Sequence, residues 1–162
     1  MRGPFFNVQY VDLNADGKKE LLVTNNVANG SGMVLAYEVP PDFRTGAFVA
    51  HVLQSGYKPK GSTLLPGKGA PGTARTIHSS PVHGKPQIVV SGDDAGVVYL
   101  LSAADAAASD WSYDAELITS GSGTIGTVAT GDADGDGVEE IFVPNYSDGE
   151  LQVFKLLSNS SH

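Results

Sequence analysis

The sequence predicts an all-β chain built from three copies of one strand–turn–strand unit, and three observations carry that expectation. Gly 20 and Pro 9 in 162 residues, well above ordinary usage, supply many chain reversals. Apolar runs of four or five residues occur in pairs, and the pairing recurs three times. The turn inside each pair is rich in Asn, Asp and Gly, which tolerate positive φ.

In chain order, 5–11 reads as a first strand. Glu20-Leu21-Leu22-Val23-Thr24 and Met33-Val34-Leu35-Ala36-Tyr37 follow as a hairpin about Asn25, Asn26, Asn29 and Gly30, and 47–53 as a fourth strand. The Gly/Pro/Lys-rich stretch 54–72 reads as an extended linker. A second copy takes 73–77, then Gln87-Ile88-Val89-Val90-Ser91 and Val97-Val98-Tyr99-Leu100-Leu101 about Asp93-Asp94-Ala95-Gly96, then 115–119. Between its last two strands, Ser102 is placed to cap one or two turns of an Ala-rich helix over 102–110. The third copy takes 124–130, Glu140-Ile141-Phe142-Val143, a Ser147-Asp148-Gly149 turn and Leu151-Gln152-Val153-Phe154, with no convincing outer strand after Phe154.

Anchored on Gly17, Gly84 and Gly137, the copies recur after 67 and 53 residues, the length of a four-stranded propeller blade with insertions. The blades fall at about 5–54, 73–119 and 124–157, so 1–157 forms the propeller segment and 158–162 a disordered tail. Because the runs are apolar throughout, both faces of each small sheet need cover, and face-to-face stacking supplies it. Three blades are too few to close a ring, since propellers close with about four to eight. The expectation is therefore a segment of a larger, about seven-bladed ring, completed by the rest of a longer polypeptide, by a second chain or by self-association. Met1-Arg2-Gly3-Pro4 carries no signal-peptide pattern and reads as the interior of a longer precursor.

Eighteen acidic against ten basic residues give a net charge of -8, which offers no field for a phosphate backbone, so nucleic acid is not expected as a partner. No apolar run approaches the roughly 20 residues that span a bilayer as a helix. With Cys 0, disulfides, thiolate catalysis and Cys-ligated zinc are excluded.

Two segments share a spacing that carries chemistry. Asp12, Asn14, Asp16 and Glu20 stand at positions 1, 3, 5 and 9 of one loop, and Asp132, Asp134, Asp136 and Glu140 at the same positions of another. Position 6 is Gly17 or Gly137, which lets the backbone turn so that the carbonyl of Lys18 or Val138 serves as a seventh-position ligand. Such a loop wraps hard oxygen donors round one point, which is what a calcium ion takes. A turn merely rich in Asx residues leaves unexplained why three carboxylates crowd together without a cation. Two Ca2+ sites are expected, and none in the middle copy, where Ser79, Pro81, His83 and Gln87 hold the matching positions.

Gly131-Asp132-Ala133-Asp134-Gly135-Asp136-Gly137-Val138-Glu139-Glu140-Ile141-Phe142-Val143-Pro144, followed by Gly149 to Phe154, resembles the FG-GAP or VCBS repeat of integrin-α-like β-propellers. The eponymous Phe-Gly is replaced by Ile125-Gly126, nearer the looser VCBS variety. The resemblance implies a calcium-stabilised extracellular module for binding, adhesion or assembly, with a protein or glycan ligand. It also leaves room for a lectin-like propeller using Trp111, Tyr113 and Tyr146, or for a propeller-type lyase or dehydratase.

Other signals are weaker. Gly121-Ser122-Gly123-Thr124-Ile125-Gly126 matches a dinucleotide fingerprint, but a strand follows it where a helix is needed. The stretch 61–68 has the wrong glycine spacing for a P-loop. His51, His78 and His83 have no nucleophile motif beside them, and Asp93-Asp94 sits where turns favour Asp. Lys58, Lys60, Lys68 and Arg75 gather round the linker, where they suit an anionic ligand or simply solvation. Sequons at Asn29, Asn145 and Asn159, the first two on exposed hairpin turns, point to a secreted or cell-surface protein.

Overall fold

In the computed structural model, residues 4–61 and 67–156 are described; the tail 158–162 and most of the glycine-spaced stretch at 61–68 lie outside them. Among the described residues the chain is all-β, with three antiparallel sheets and no α-helix. The first sheet runs β1 (Phe5–Val11), β2 (Glu20–Asn25), β3 (Gly32–Glu38) and β4 (Val49–Tyr57) in that order across the sheet. A second meander follows with β5 (Ala74–Val82), β6 (Lys85–Ser91), β7 (Val97–Ala103) and β8 (Tyr113–Ser120). The third has β9 (Ala129–Gly131), β10 (Glu140–Asn145) and β11 (Glu150–Lys155), with β10 in the middle. Each sheet is open at both edges. No helix among the described residues is long and apolar enough to cross a membrane.

The middle sheet is covered on both faces, which is why every residue of β6 is buried. Alternation along its strands separates two cores. Ile88, Val90, Leu101 and Ala74 face the first sheet and pack with Leu22, Val34 and Ala36. Ile77, Val89, Val98 and Leu100 face the other way, onto Ile125, Val128, Ile141 and Val143. Each such Leu, Ile or Val stabilises the fold by about 1.5–3 kcal/mol before entropy is charged against it.

The sheets stack in one sense: Leu22 of β2 faces the second sheet and Val89 of β6 faces the third, while Ile141 and Val143 of β10 face back onto the second. This leaves two apolar faces open. Phe5, Val8, Leu21, Val23, Tyr37 and Phe48 line a hollow of about 500 Å³ on the first sheet, and Leu151 and Val153 on the third are 67% and 54% exposed.

The first strands of the sheets lie side by side. Gln9 of β1 donates to Thr76 Oγ1 of β5 and accepts from Thr76 N–H, Asn7 accepts from Ala74 N–H, and Thr130 of β9 donates to Thr76 O.

Three local expectations change. The stretch 102–110 forms no helix: β7 runs on to Ala103, and 104–112 is a loop braced by Asp105. Its carbonyls are drawn sideways, Ala107 and Asp110 to the buried Lys85 ammonium at 2.8 Å each and Ala108 to Asn14. The stretch 54–72 is no loose linker at its ends. β4 extends through Tyr57, while Gly69 to Thr73 are buried between the sheets, with Ala70 bridging to Val27 and Gly72 N–H bonded to Ser91 O. The strand expected over 124–130 keeps only its end as β9, because Ile125 and Gly126 N–H bond instead to Asp93 O and Pro144 O. That third sheet has three strands where the first two have four.

Candidate metal centre

The two acidic loops join β1 to β2 and β9 to β10, the same place in two sheets. They fold alike. Asp12 accepts from Ala15 N–H at 2.8 Å and Gly17 N–H at 3.0 Å, and Asp132 from Gly135 N–H at 2.7 Å and Gly137 N–H at 2.9 Å. Asp16 Oδ1 caps Lys18 N–H at 2.8 Å as Asp136 Oδ1 caps Val138 N–H at 2.9 Å. Asn14 and Asp134 each accept from the N–H two residues on, both at 3.2 Å. Positions 4 and 6 are left-handed in both: Ala15 and Gly17 have φ of 61° and 84°, Gly135 and Gly137 of 78° and 88°. Position 6 was visible in the sequence; position 4 was not, because Ala15 does not advertise a left-handed residue.

Each loop closes on the glutamate that opens the second strand. Glu20 Oε2 accepts from Leu13 N–H at 2.9 Å and Glu140 Oε2 from Ala133 N–H at 2.8 Å. Both glutamates are buried, at 3% and 6% exposed, while the aspartates of the second loop are exposed. Burying a carboxylate costs several kcal/mol unless something cationic meets it. In the first loop burial, with the nearby carboxylates of Asp16, Asp12 and Glu38, pushes the Glu20 carboxyl above its ordinary value despite the Leu13 N–H.

In the second loop a cation is present. The Lys155 ammonium lies 2.7 Å from Asp134 Oδ2, 2.7 Å from Asp136 Oδ2 and 2.9 Å from Glu140 Oε1, an oxygen with no hydrogen-bond donor of good geometry. Those carboxylates hold Lys155 protonated, and Lys155 with the Val138 N–H holds Asp136 below its usual value. Asp132, Asp134 and Asp136 bring one oxygen each within 4.8 Å of one another. The donor set in both loops is oxygen-only and anionic, the chemistry of a hard cation rather than of zinc or copper.

In the middle sheet the corresponding connection is a two-residue turn at His83 and Gly84, with φ of 55° and 79°. Gln87, at the glutamate position, donates instead to Ser102 Oγ at 2.7 Å.

The remaining candidates disperse. His51 bonds Glu38 at 2.6 Å and stacks on Trp111 at 4.5 Å, and His78 bonds Thr76 at 3.0 Å. A groove of about 590 Å³ between β1 and β5 brings His78, Asp12 and Lys19 to one wall, but Asp12 is engaged by its own loop and Lys19 lies over the Tyr10 ring. Tyr113 donates to Leu13 O beside the first loop, while Tyr146, 79% exposed, stands at the β10–β11 turn at the other end of the strands, so the three aromatics share no pocket. Three of the four cations near the linker are engaged internally: Lys60 with Gly96 and Gly121 carbonyls, Lys68 with Asp94, Arg75 with Asn7. Gly121 and Gly123 pack against Asn145 and Ser147, where a Cβ has no room, and this close approach accounts for the glycine pattern. Asn29 is exposed as expected, but Asn145 is 2% exposed and donates to Asp148, so that sequon is closed in the folded chain; Asn159 lies outside the described residues. Comparison of the chain with protein-family models, with curated proteins and with solved structures finds no match.

Proposed function

We propose that this chain is a calcium-stabilised β-propeller module serving extracellular binding, adhesion or assembly, with the ions in a structural role. The observation that supports it best is the repetition itself. Two loops on two sheets share one hydrogen-bond pattern, one pair of left-handed positions and one buried glutamate, and in the second of them three carboxylates converge. Asp12, Asn14, Asp16, Glu20 and the Lys18 carbonyl would hold one ion, and Asp132, Asp134, Asp136, Glu140 and the Val138 carbonyl the other. Bound there, calcium would neutralise the crowded carboxylates and stiffen the link between first and second strands. The common sense of stacking and the two open apolar faces favour further sheets of the same kind on either side.

Calcium titration by calorimetry tests this, with melting curves taken with and without chelator. Two ions per chain are expected, one lost in Asp16→Ala and one in Asp136→Ala, with His83→Ala changing neither. At extracellular affinities of about 10⁻⁴ to 10⁻³ M and ~1 mM free ion, each site adds about 0.4–1.4 kcal/mol, so chelation lowers the melting temperature by roughly 2–10 °C. No calcium uptake together with a melting temperature indifferent to chelator overturns the proposal.

A further inference from the structure

The two loops share their own geometry but not their neighbour on the third strand. Glu140 is paired across the β10–β11 ladder with Lys155. In the first sheet the β2–β3 ladder ends at Leu21–Tyr37, and Glu38, the next residue of β3, falls where one further step would meet Glu20. The same register position therefore carries a cation in one sheet and a carboxylate in the other. Lys155 places its ammonium against three oxygens of the loop, among them the buried Glu140 Oε1, for which it is the cationic partner at 2.9 Å. Glu38 adds a negative charge beside Glu20, and its Oε1 is held by His51. A seated ammonium is an independent sign that the cage takes a cation, and it stands in the way of a second one.

We propose that Lys155 is a built-in competitor for the divalent cation at the β9–β10 loop, so that the loop takes calcium only by expelling the ammonium. The β1–β2 loop, with Glu38 in that register position, takes calcium unopposed. The first loop has three ligand carboxylates, Asn14 being neutral, and Glu38 makes four negative charges, whereas Lys155 reduces the four carboxylates of the second loop to a net three, so the first-sheet loop fills at the lower calcium concentration. This rests on the calcium reading above and adds a ranking to it. The cause is electrostatic: affinity in such loops follows the count of ligand charges, and an internal ammonium subtracts one.

Calorimetry with calcium chloride on single-site proteins tests it. In an Asp16→Ala background, where only the β9–β10 loop remains, Lys155→Met and Lys155→Gln each raise calcium affinity more than about threefold and up to about a hundredfold, the worth of losing two or three part-exposed ion pairs, while Lys155→Arg keeps the weak binding. In an Asp136→Ala background, Glu38→Lys weakens the β1–β2 loop at least about tenfold. The Glu38→Lys arm stands even where a Lys155 variant fails to fold, which far-ultraviolet circular dichroism reports. Calcium binding that stays within about threefold in the Lys155 variants, or equal affinities at the two loops of the parent chain, overturns the competition while leaving the calcium reading intact. Absence of binding in every background overturns both.

Discussion

The turn at Asp93–Ala95 is held by one carboxylate whose removal has a calculable effect. Asp94, 7% exposed, accepts from Gly69 N–H at 3.0 Å, Thr124 Oγ1 at 2.6 Å and Lys68 Nζ at 3.1 Å. It thereby ties the buried segment between the first two sheets to the chain leading into the third. Asp94→Ala leaves the buried Gly69 N–H without an acceptor, at about 1–3 kcal/mol. Thr124 and the part-exposed Lys68 turn to water, which limits their loss to about 0.5–1 kcal/mol each. The total of about 2–5 kcal/mol corresponds to a melting temperature lower by roughly 4–20 °C for a chain of this size. Burial alone would raise the Asp94 carboxyl, but Thr124, Gly69 and Lys68 outweigh it and hold the group below its ordinary value. A carboxyl depressed in the folded state contributes stability that is complete above its unfolded value of about 3.9 and is withdrawn as pH falls through the folded one. Differential scanning calorimetry of the parent chain and Asp94→Asn, at constant calcium, is therefore expected to show a gap at about pH 7 that narrows below about pH 4. A melting temperature of Asp94→Ala within about 2 °C of the parent, or a gap that does not narrow in acid, refutes the reasoning.

Two further outcomes are expected. Lys85 is 1% exposed, with its ammonium on the Ala107 and Asp110 carbonyls, so Lys85→Met takes the donor from Asp110 O, leaves Ala107 O with the Asp110 N–H alone and lowers the urea midpoint by roughly 1 M or more, a shift under about 0.3 M refuting it. Burial, with Glu20 nearby, pushes the Tyr113 phenol up to about 12, and burial beside Tyr99 raises Tyr57 as well. Raised phenols contribute stability that is present below about pH 10 and lost as pH rises through the folded values, so absorbance at about pH 11 should find Tyr57 and Tyr113 still protonated in the native chain and largely ionised in urea.

The three pairs of apolar runs, their turns and the two acidic loops were legible in the residues because each is a local pattern. An apolar run with Asx/Gly punctuation defines a hairpin without reference to the rest of the chain, and ligand spacing within nine residues depends only on the loop that carries it. Even the burial of Ile88 to Val90 on both faces followed from a run without alternation. The segment 69–73 looked like linker because its Gly and Pro content is that of a solvated loop, and only its lodging between two sheets gives its backbone groups their partners.

What the sequence by itself determined is thus the all-β class, the threefold repeat and the residues of two acidic loops of like fold. Tertiary structure alone decided which loop holds a cation of its own, since Lys155 meets Glu140 only through the β10–β11 register, and nothing along the chain marks Lys155, 15 positions after Glu140, or Glu38, 18 after Glu20, as the neighbour of a buried glutamate. It also decided that Lys85 is buried, Asn145 closed and Asp94 a clamp, because each depends on groups brought from another sheet or loop. Local chemistry can be read along the chain, whereas the partner that neutralises a buried charge is chosen by packing.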